Sequence, residues 1–137
     1  RAEEMNIIPS STGASISVAK VVDGIKGKFD GIELRVQIID GSVSDITFLA
    51  GRLTTVKEVN DIFRKAAKEK RWEGVLAVTD DQIVSSDIIG MPYGAIIDSE
   101  YTRVVDGDLV KVLYWYDNEL GYISTLSKHI EKAAETL

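Results

Sequence analysis

The residues best placed to do chemistry in this sequence lie in the segment 115–122 (WYDNELGY). A run rich in β-branched and aromatic residues precedes this segment, and apolar residues at helical spacing follow it. Asn118, Glu119 and Tyr122 are therefore expected at the exposed end of a rigid strand-to-helix corner. Such a corner is a position where proteins place recognition groups.

A second candidate is the segment 10–14 (SSTGA), which supplies hydroxyl groups and a glycine just before a run with helical spacing. The first N–H groups of a helix lack partners within the helix, so Thr12 and Gly13 could help to bind an anion there. Ordinary helix capping accounts for the same pattern. The residues alone leave both interpretations open.

The third candidate is Arg35, which falls in a predicted strand over residues 32–39 where apolar and polar residues alternate. The alternation places Arg35 on the face opposite Leu34 and Val36. A single arginine on a strand is usually a surface residue or the partner of an ion pair, and binding of a ligand is the alternative.

The elements that would position these groups follow an α+β pattern. The spacing predicts helices at residues 14–23, 55–71 and 120–137, and strands at residues 32–39, 43–53, 74–78, 94–97, 104–105 and 109–116. Asp-Gly pairs at 40–41 and 106–107 predict two hairpins between successive strands. We therefore expect one domain over residues 1–137, with a largely antiparallel sheet, helices packed on one face and the other face free to meet a partner.

Composition excludes several classes of protein. The formal net charge of −6 argues against a nucleic-acid-binding protein, and the absence of cysteine excludes a disulfide, a thiolate metal site or a cysteine nucleophile within this chain. The longest apolar-leaning run without charge, residues 88–97, is too short to cross a membrane. His129, the only histidine of the sequence, is expected to have a surface or packing role. We expect a cytoplasmic protein with no catalytic residue and no metal site in this chain.

Several segments, in order and at matching spacing, resemble the C-terminal, catalytic portion of phosphorylating glyceraldehyde-3-phosphate dehydrogenase. They are residues 6–14 (NIIPSSTGA), 34–36 (LRV), 43–45 (VSD), 84–87 (VSSD) and 115–122 (WYDNELGY). The resemblance implies the fold of that C-terminal domain. It also implies an oxidoreductase of glycolysis that oxidises an aldehyde phosphate with NAD and inorganic phosphate, through a thioester on a cysteine that a histidine activates.

The resemblance assigns roles to individual residues of this chain. Thr12 and Gly13 match the site of the attacking phosphate, and Arg35 matches an arginine that contacts the phosphate of glyceraldehyde 3-phosphate. Arg1 matches an arginine that also approaches phosphate. Asn118 matches the asparagine that orients the nicotinamide carboxamide of NAD, a role that suits an amide with both a donor and an acceptor.

The resemblance also implies what this chain lacks and what it binds. The nucleophilic cysteine, its histidine and the NAD-binding domain are expected outside these 137 residues, so the chain alone should be inactive. Its own NAD-binding domain and other subunits of a homotetramer, which meet through the sheet, are the implied partners. Gln37 stands where the family usually has proline, and Asp40-Gly41 replaces a common Asn-Val.

Two alternatives share these sequence features. Erythrose-4-phosphate dehydrogenase has the same fold and motifs and differs in the length of its substrate. A non-catalytic oligomerisation or interaction module would keep the assembly surface of the domain and lose catalysis.

Overall fold

The structure is a computed structural model that describes residues 5–136 and contains three helices and six strands within them. The predicted α+β class is confirmed, and antiparallel strand pairs predominate. Contacts between residues divide the chain into two compact units, with the boundary between Ile39 and Asp40. No helix within residues 5–136 is both long enough and apolar enough to cross a membrane.

The smaller unit is built on a two-stranded ribbon. It contains β1 (Ile8–Ser11), α1 (Ala14–Val21) and β2 (Ile32–Arg35). β1 and β2 pair antiparallel, with Ile8 opposite Arg35 and Ser11 opposite Ile32. α1 and β2 are both shorter than the helix at 14–23 and the strand at 32–39 that the sequence predicts. α1 stops because the backbone of Val22 is extended, and β2 stops at Arg35 because its partner β1 begins at Ile8.

The larger unit is built on a four-stranded sheet. It contains β3 (Ser42–Leu49), α2 (Val56–Ala66), β4 (Leu76–Thr79), β5 (Ala95–Val105), β6 (Leu109–Tyr116) and α3 (Leu120–Ala134), with short 3-10 helices at Lys70–Trp72 and Ser85–Ile88. The strand order is β3-β6-β5-β4. β4 runs parallel to β5, and the other pairs are antiparallel. The strands predicted at 94–97 and 104–105 are parts of one strand, β5, whose pairing with β6 shifts register between Asp98 and Arg103.

One of the two predicted hairpins forms. Residues 106–108 form the three-residue turn between β5 and β6, and Asp106 and Gly107 in it both have positive φ, at 51° and 82°. The predicted hairpin at Asp40-Gly41 is wrong, because β2 pairs with β1 and β3 pairs with β6. Of those two residues only Gly41 has positive φ, at 92°, and a type I′ turn needs positive φ at both central positions.

The core of the larger unit lies where α2 covers one face of the sheet. Val59 of α2 and Val110 and Val112 of β6 are its buried centre. Partly buried apolar residues surround them: Ile46, Ala50, Phe63 and Val104. Burying this apolar surface is the main favourable contribution to folding of the unit. It holds β6, the strand that leads into the segment 115–122, against α2.

Of the two hydrogen bonds in the predicted capping box at the start of α2, one forms. The Thr55 hydroxyl oxygen accepts a hydrogen bond from the Glu58 N–H at 3.2 Å. The reciprocal bond of a capping box is replaced, because the Glu58 carboxylate accepts from Arg52 and from the Thr54 hydroxyl. These hydrogen bonds, the one from Arg52 first, lower the pKa of Glu58 to about 2. The carboxylate stays charged beside the N-terminus of α2, where negative charge is favourable.

Candidate functional site

The corner between β6 and α3 is fixed by the buried carboxylate of Asp117, which is 2% exposed. Its Oδ1 accepts from the N–H groups of Glu119 at 2.8 Å and Leu120 at 2.7 Å, and its Oδ2 accepts from the Gly90 N–H at 2.8 Å. Hydrogen bonds from backbone N–H groups hold the pKa of Asp117 below its ordinary value. The bond from Gly90 has the largest effect, and the bonds from the start of α3 have smaller ones. Asp117 therefore caps α3 and ties it to the loop before β5.

Close backbone packing also fixes the first turn of α3. A Cβ atom at Gly121 would lie 2.5 Å from the carbonyl oxygen of Tyr93, a distance that carbon atoms do not reach. Only glycine allows this approach without a shift of either backbone segment. The direction in which the corner presents its exposed side chains is thus set by two independent contacts, at Asp117 and at Gly121.

Asn118 is exposed, and its amide is held in one orientation. Its Oδ1 accepts from the Gly41 N–H at 3.1 Å and from the Ser42 hydroxyl at 3.0 Å. A backbone N–H can only donate, so the oxygen of the amide must face Gly41 and the Nδ2 group must point the other way. Within residues 5–136, Nδ2 has no acceptor. The corner therefore offers a fixed hydrogen-bond donor to a ligand.

Gly41 and Ser42 are neighbours of Asn118 that the sequence pattern does not predict. Their hydrogen bonds to Asn118 join residues 77 and 76 positions apart. The local signal at this position is the Asp-Gly pair at 40–41, which predicts a hairpin instead. The requirement for glycine is nevertheless real, because Gly41 has φ of +92° and a Cβ atom there would lie 3.0 Å from the Ser85 carbonyl oxygen.

Thr12 and Gly13 lie directly after β1 and before α1. The Thr12 hydroxyl oxygen accepts from the Ala14 N–H at 3.2 Å, and Thr12 lies one residue before the N-cap of α1. The N-cap is Gly13, so no side chain caps this helix. Gly13 is exposed, and its carbonyl accepts the first helical bond, from the Ser17 N–H at 3.0 Å. In the same first turn, the N–H groups of residues 15 and 16 have no intrahelical acceptor.

Arg35 ends β2 at the other end of the same ribbon. Its side chain is 60% exposed and forms an ion pair with Glu33, with 2.8 Å between Nη2 and Oε1. Ser11 lies opposite Ile32, so Thr12 is at about the level of residue 31, four residues from Arg35 along the ribbon. At about 3.4 Å per residue, this separation is roughly 14 Å. Thr12 and Gly13 are therefore well separated from Arg35 along the ribbon.

The predicted site residues fall into two sets. Thr12, Gly13 and Arg35 belong to the smaller unit, and Asn118 belongs to the larger one. Arg1 lies outside the described residues. In the described part of the chain, no group of three or more histidine, cysteine or carboxylate residues is arranged to hold a metal ion. His129 is exposed near the end of α3.

Comparison with known proteins gives a consistent family. Residues 1–118 match the family model described as glyceraldehyde 3-phosphate dehydrogenase, C-terminal domain. The chain is 48% identical over 126 residues, 92% of its length, to glyceraldehyde-3-phosphate dehydrogenase 2 of Streptomyces avermitilis. It is 40% identical over its full length to glyceraldehyde-3-phosphate dehydrogenase of Zymomonas mobilis, and 48% identical over 92% of its length to that of Mycobacterium tuberculosis.

The matched region is a part of each relative. It covers 37% of the Streptomyces avermitilis protein and 41% of the Zymomonas mobilis protein. The region that matches the family model ends at residue 118, so it contains the segment 10–14, Arg35 and Asn118. The chain belongs to the family of glyceraldehyde 3-phosphate dehydrogenase C-terminal domains.

Proposed function

We propose that residues 1–137 form the substrate-binding, catalytic-domain portion of a phosphorylating, NAD-dependent glyceraldehyde-3-phosphate dehydrogenase of glycolysis. The chain contains no cysteine, so the thioester of this reaction must form on a residue outside these positions. The role of this chain is to bind two phosphate groups and to orient the cofactor. On its own it should not turn over substrate.

The observation that carries the proposal is that the exposed guanidinium of Arg35 and the start of α1 lie at opposite ends of one ribbon. A phosphorylating dehydrogenase must bind the phosphate of its substrate and the inorganic phosphate that attacks the thioester. Arg35 offers a permanently charged, exposed guanidinium that suits the first phosphate. Thr12, Gly13 and the first N–H groups of α1 suit the second.

Asn118 supports the proposed binding of NAD. Its Oδ1 is anchored by Gly41 and Ser42, and its Nδ2 donor has no acceptor within residues 5–136. These features fit a planar carboxamide that needs a donor at a fixed position. The bound cofactor would accept the hydride of the aldehyde. The role of Asn118 is to orient the nicotinamide ring. Asp117 and Gly121 hold the corner that carries Asn118 in place.

The proposed partners follow from the same assignment. Most of the NAD contacts and the reactive cysteine would come from the NAD-binding domain of the same protein. The full-length enzyme would act in the cytoplasm as a homotetramer, with no contribution from nucleic acid or membrane. The face of the four-stranded sheet opposite α2 is the surface that we assign to contacts between subunits.

The proposal is tested by the activity of the full-length protein. NADH formation, followed by its absorbance, should require glyceraldehyde 3-phosphate, NAD and inorganic phosphate together. Erythrose 4-phosphate should be oxidised with a lower kcat/KM. The reverse preference would assign the chain to erythrose-4-phosphate dehydrogenase, and no oxidation of either aldehyde would favour a non-catalytic interaction module.

Replacing Asn118 tests the cofactor contact. In the full-length enzyme, Asn118→Ala should raise the KM for NAD or lower the rate of hydride transfer by about two- to tenfold, because one neutral hydrogen bond is lost. The KM for phosphate should stay unchanged. The control is Glu131→Ala, which alters an exposed side chain later in α3 and should leave both constants at their wild-type values. Wild-type kinetics with NAD in Asn118→Ala would refute the assignment.

A further inference from the structure

Glu33 lies beside the guanidinium that we assign to the substrate phosphate. It precedes Arg35 by two positions on β2, so both side chains project from the same face of the ribbon. The Glu33 Oε1 atom lies 2.8 Å from the Arg35 Nη2 atom. One of the donors that a phosphate would use is therefore already engaged by a carboxylate of the same strand.

Ser10 holds this carboxylate in place from the neighbouring strand. Ser10 and Glu33 are directly opposite each other in the register of β1 and β2. The Ser10 hydroxyl donates to Glu33 Oε1 at 2.7 Å, and this is the same oxygen that contacts Arg35. Hydrogen bonding from Ser10 and the nearby charge of Arg35 lower the pKa of Glu33. The group is ionised at neutral pH and anchored on both sides.

We propose that Glu33 is an internal competitor for the phosphate-binding guanidinium of Arg35 and thereby sets the affinity of that site for phosphorylated ligands. This inference rests on the proposed function of Arg35. A carboxylate and a phosphate both seek the planar donors of a guanidinium. An incoming phosphate must either displace Glu33 or bind next to its negative charge, and both options weaken binding.

The competition should lower affinity without blocking the site. The two side chains are 60% and 37% exposed, and ion pairs in such surroundings are weak because water and salt screen them. The guanidinium has five N–H donors, and Glu33 engages the Nη2 group only. A phosphate therefore gains access to the remaining donors of Arg35 but meets a neighbouring charge of the same sign.

The test is calorimetric titration of the full-length protein with glycerol 3-phosphate, a phosphate monoester that carries the phosphate of the substrate without its aldehyde. Glu33→Gln should lower the Kd for this phosphate about two- to fivefold, since this range corresponds to the strength of an exposed ion pair. Glutamine keeps an oxygen that accepts from Ser10, so the ribbon should stay intact. The control is Glu135→Gln, which removes the same charge from another exposed ion pair, with Lys132. It should leave the Kd unchanged.

Arg35→Ala, alone and combined with Glu33→Gln, separates the two assignments. We expect phosphate binding to weaken in Arg35→Ala and the effect of Glu33→Gln to disappear in the double variant. Weaker binding in Arg35→Ala with no change in Glu33→Gln would overturn the competition alone. Unchanged binding in Arg35→Ala would overturn the phosphate role of Arg35, and the competition with it. An equal fall in the Kd in Glu33→Gln and Glu135→Gln would mean that the net charge of the protein causes the effect, and it would overturn the competition.

Discussion

The Asp117→Ala variant should lose about 3 kcal/mol of its free energy of unfolding, because the N–H groups of three residues lose a shared buried acceptor. They belong to Gly90, Glu119 and Leu120, and all three bonds are 2.7 to 2.8 Å long. The carboxylate is 2% exposed, so water cannot fully replace it. Urea unfolding of wild type and variant measures the difference.

Asp87→Ala is the matched control for this prediction. The Asp87 carboxylate also accepts from a backbone N–H, that of Val84 at 2.8 Å, but the residue is exposed. Because water can bond to the freed N–H group, this variant should lose less than about 1 kcal/mol. Equal losses in the two variants would mean that Asp117 is no more than an ordinary surface cap.

The stabilisation by Asp117 should depend on pH in a defined direction. Its pKa in the folded chain lies below the ordinary value of 3.8, so the charged form is the one that folding favours. The contribution is therefore complete above pH 4 to 5 and is lost as the pH falls through the folded pKa. The stability difference between wild type and Asp117→Asn should be constant near neutral pH and shrink below about pH 4. A constant difference at all pH values would contradict this linkage.

The second large effect is expected in the full-length enzyme with Arg35→Ala. Loss of a charge-assisted hydrogen bond to the substrate phosphate should cost about 1.5 to 3 kcal/mol, or roughly a 10- to 150-fold rise in KM for glyceraldehyde 3-phosphate. Steady-state kinetics measure this change. The stability of the fold should be little affected, because the Arg35 side chain is exposed and its only ion pair within residues 5–136 is with Glu33.

Arg52→Ala is the control for Arg35→Ala, since the two arginines have similar surroundings. The Arg52 side chain is 66% exposed and pairs with Glu58, as Arg35 pairs with Glu33. Loss of Arg52 should leave the KM unchanged, because no phosphate role is assigned to it. An unchanged KM in Arg35→Ala, or equal changes in both variants, would argue against the phosphate assignment.

Local patterns predicted the elements of this fold better than their pairing. The Thr55 cap, the turn at Asp106-Gly107 and the start of α3 depend on neighbouring residues and were found from the sequence. The pairing of β2 with β1 and of β3 with β6 depends on contacts between distant segments. An Asp-Gly pair occurs at 40–41 and again at 106–107, and only the second forms a hairpin, so tertiary contacts decided the outcome.

The candidate site shows the same division. The exposed position of Asn118 at a strand-to-helix corner followed from the sequence pattern. The groups that orient its amide, at Gly41 and Ser42, are brought to it only by folding. The alternation around Arg35 places Arg35 and Glu33 on the same polar face but gives no sign that Ser10 lies beside them. The partner of Glu33 across the ribbon became visible only with the register of β1 and β2.

A crystal structure of the full-length enzyme with NAD, soaked in inorganic phosphate, would test the proposed binding roles together. We expect phosphate oxygens about 2.7 to 3.0 Å from the guanidinium nitrogens of Arg35 and from the hydroxyl of Thr12 or the N–H groups after Gly13. We also expect the nicotinamide carboxamide within hydrogen-bonding distance of Asn118 Nδ2. Phosphate bound only elsewhere, with Arg35 and Thr12 unoccupied, would contradict the phosphate-binding role of this domain.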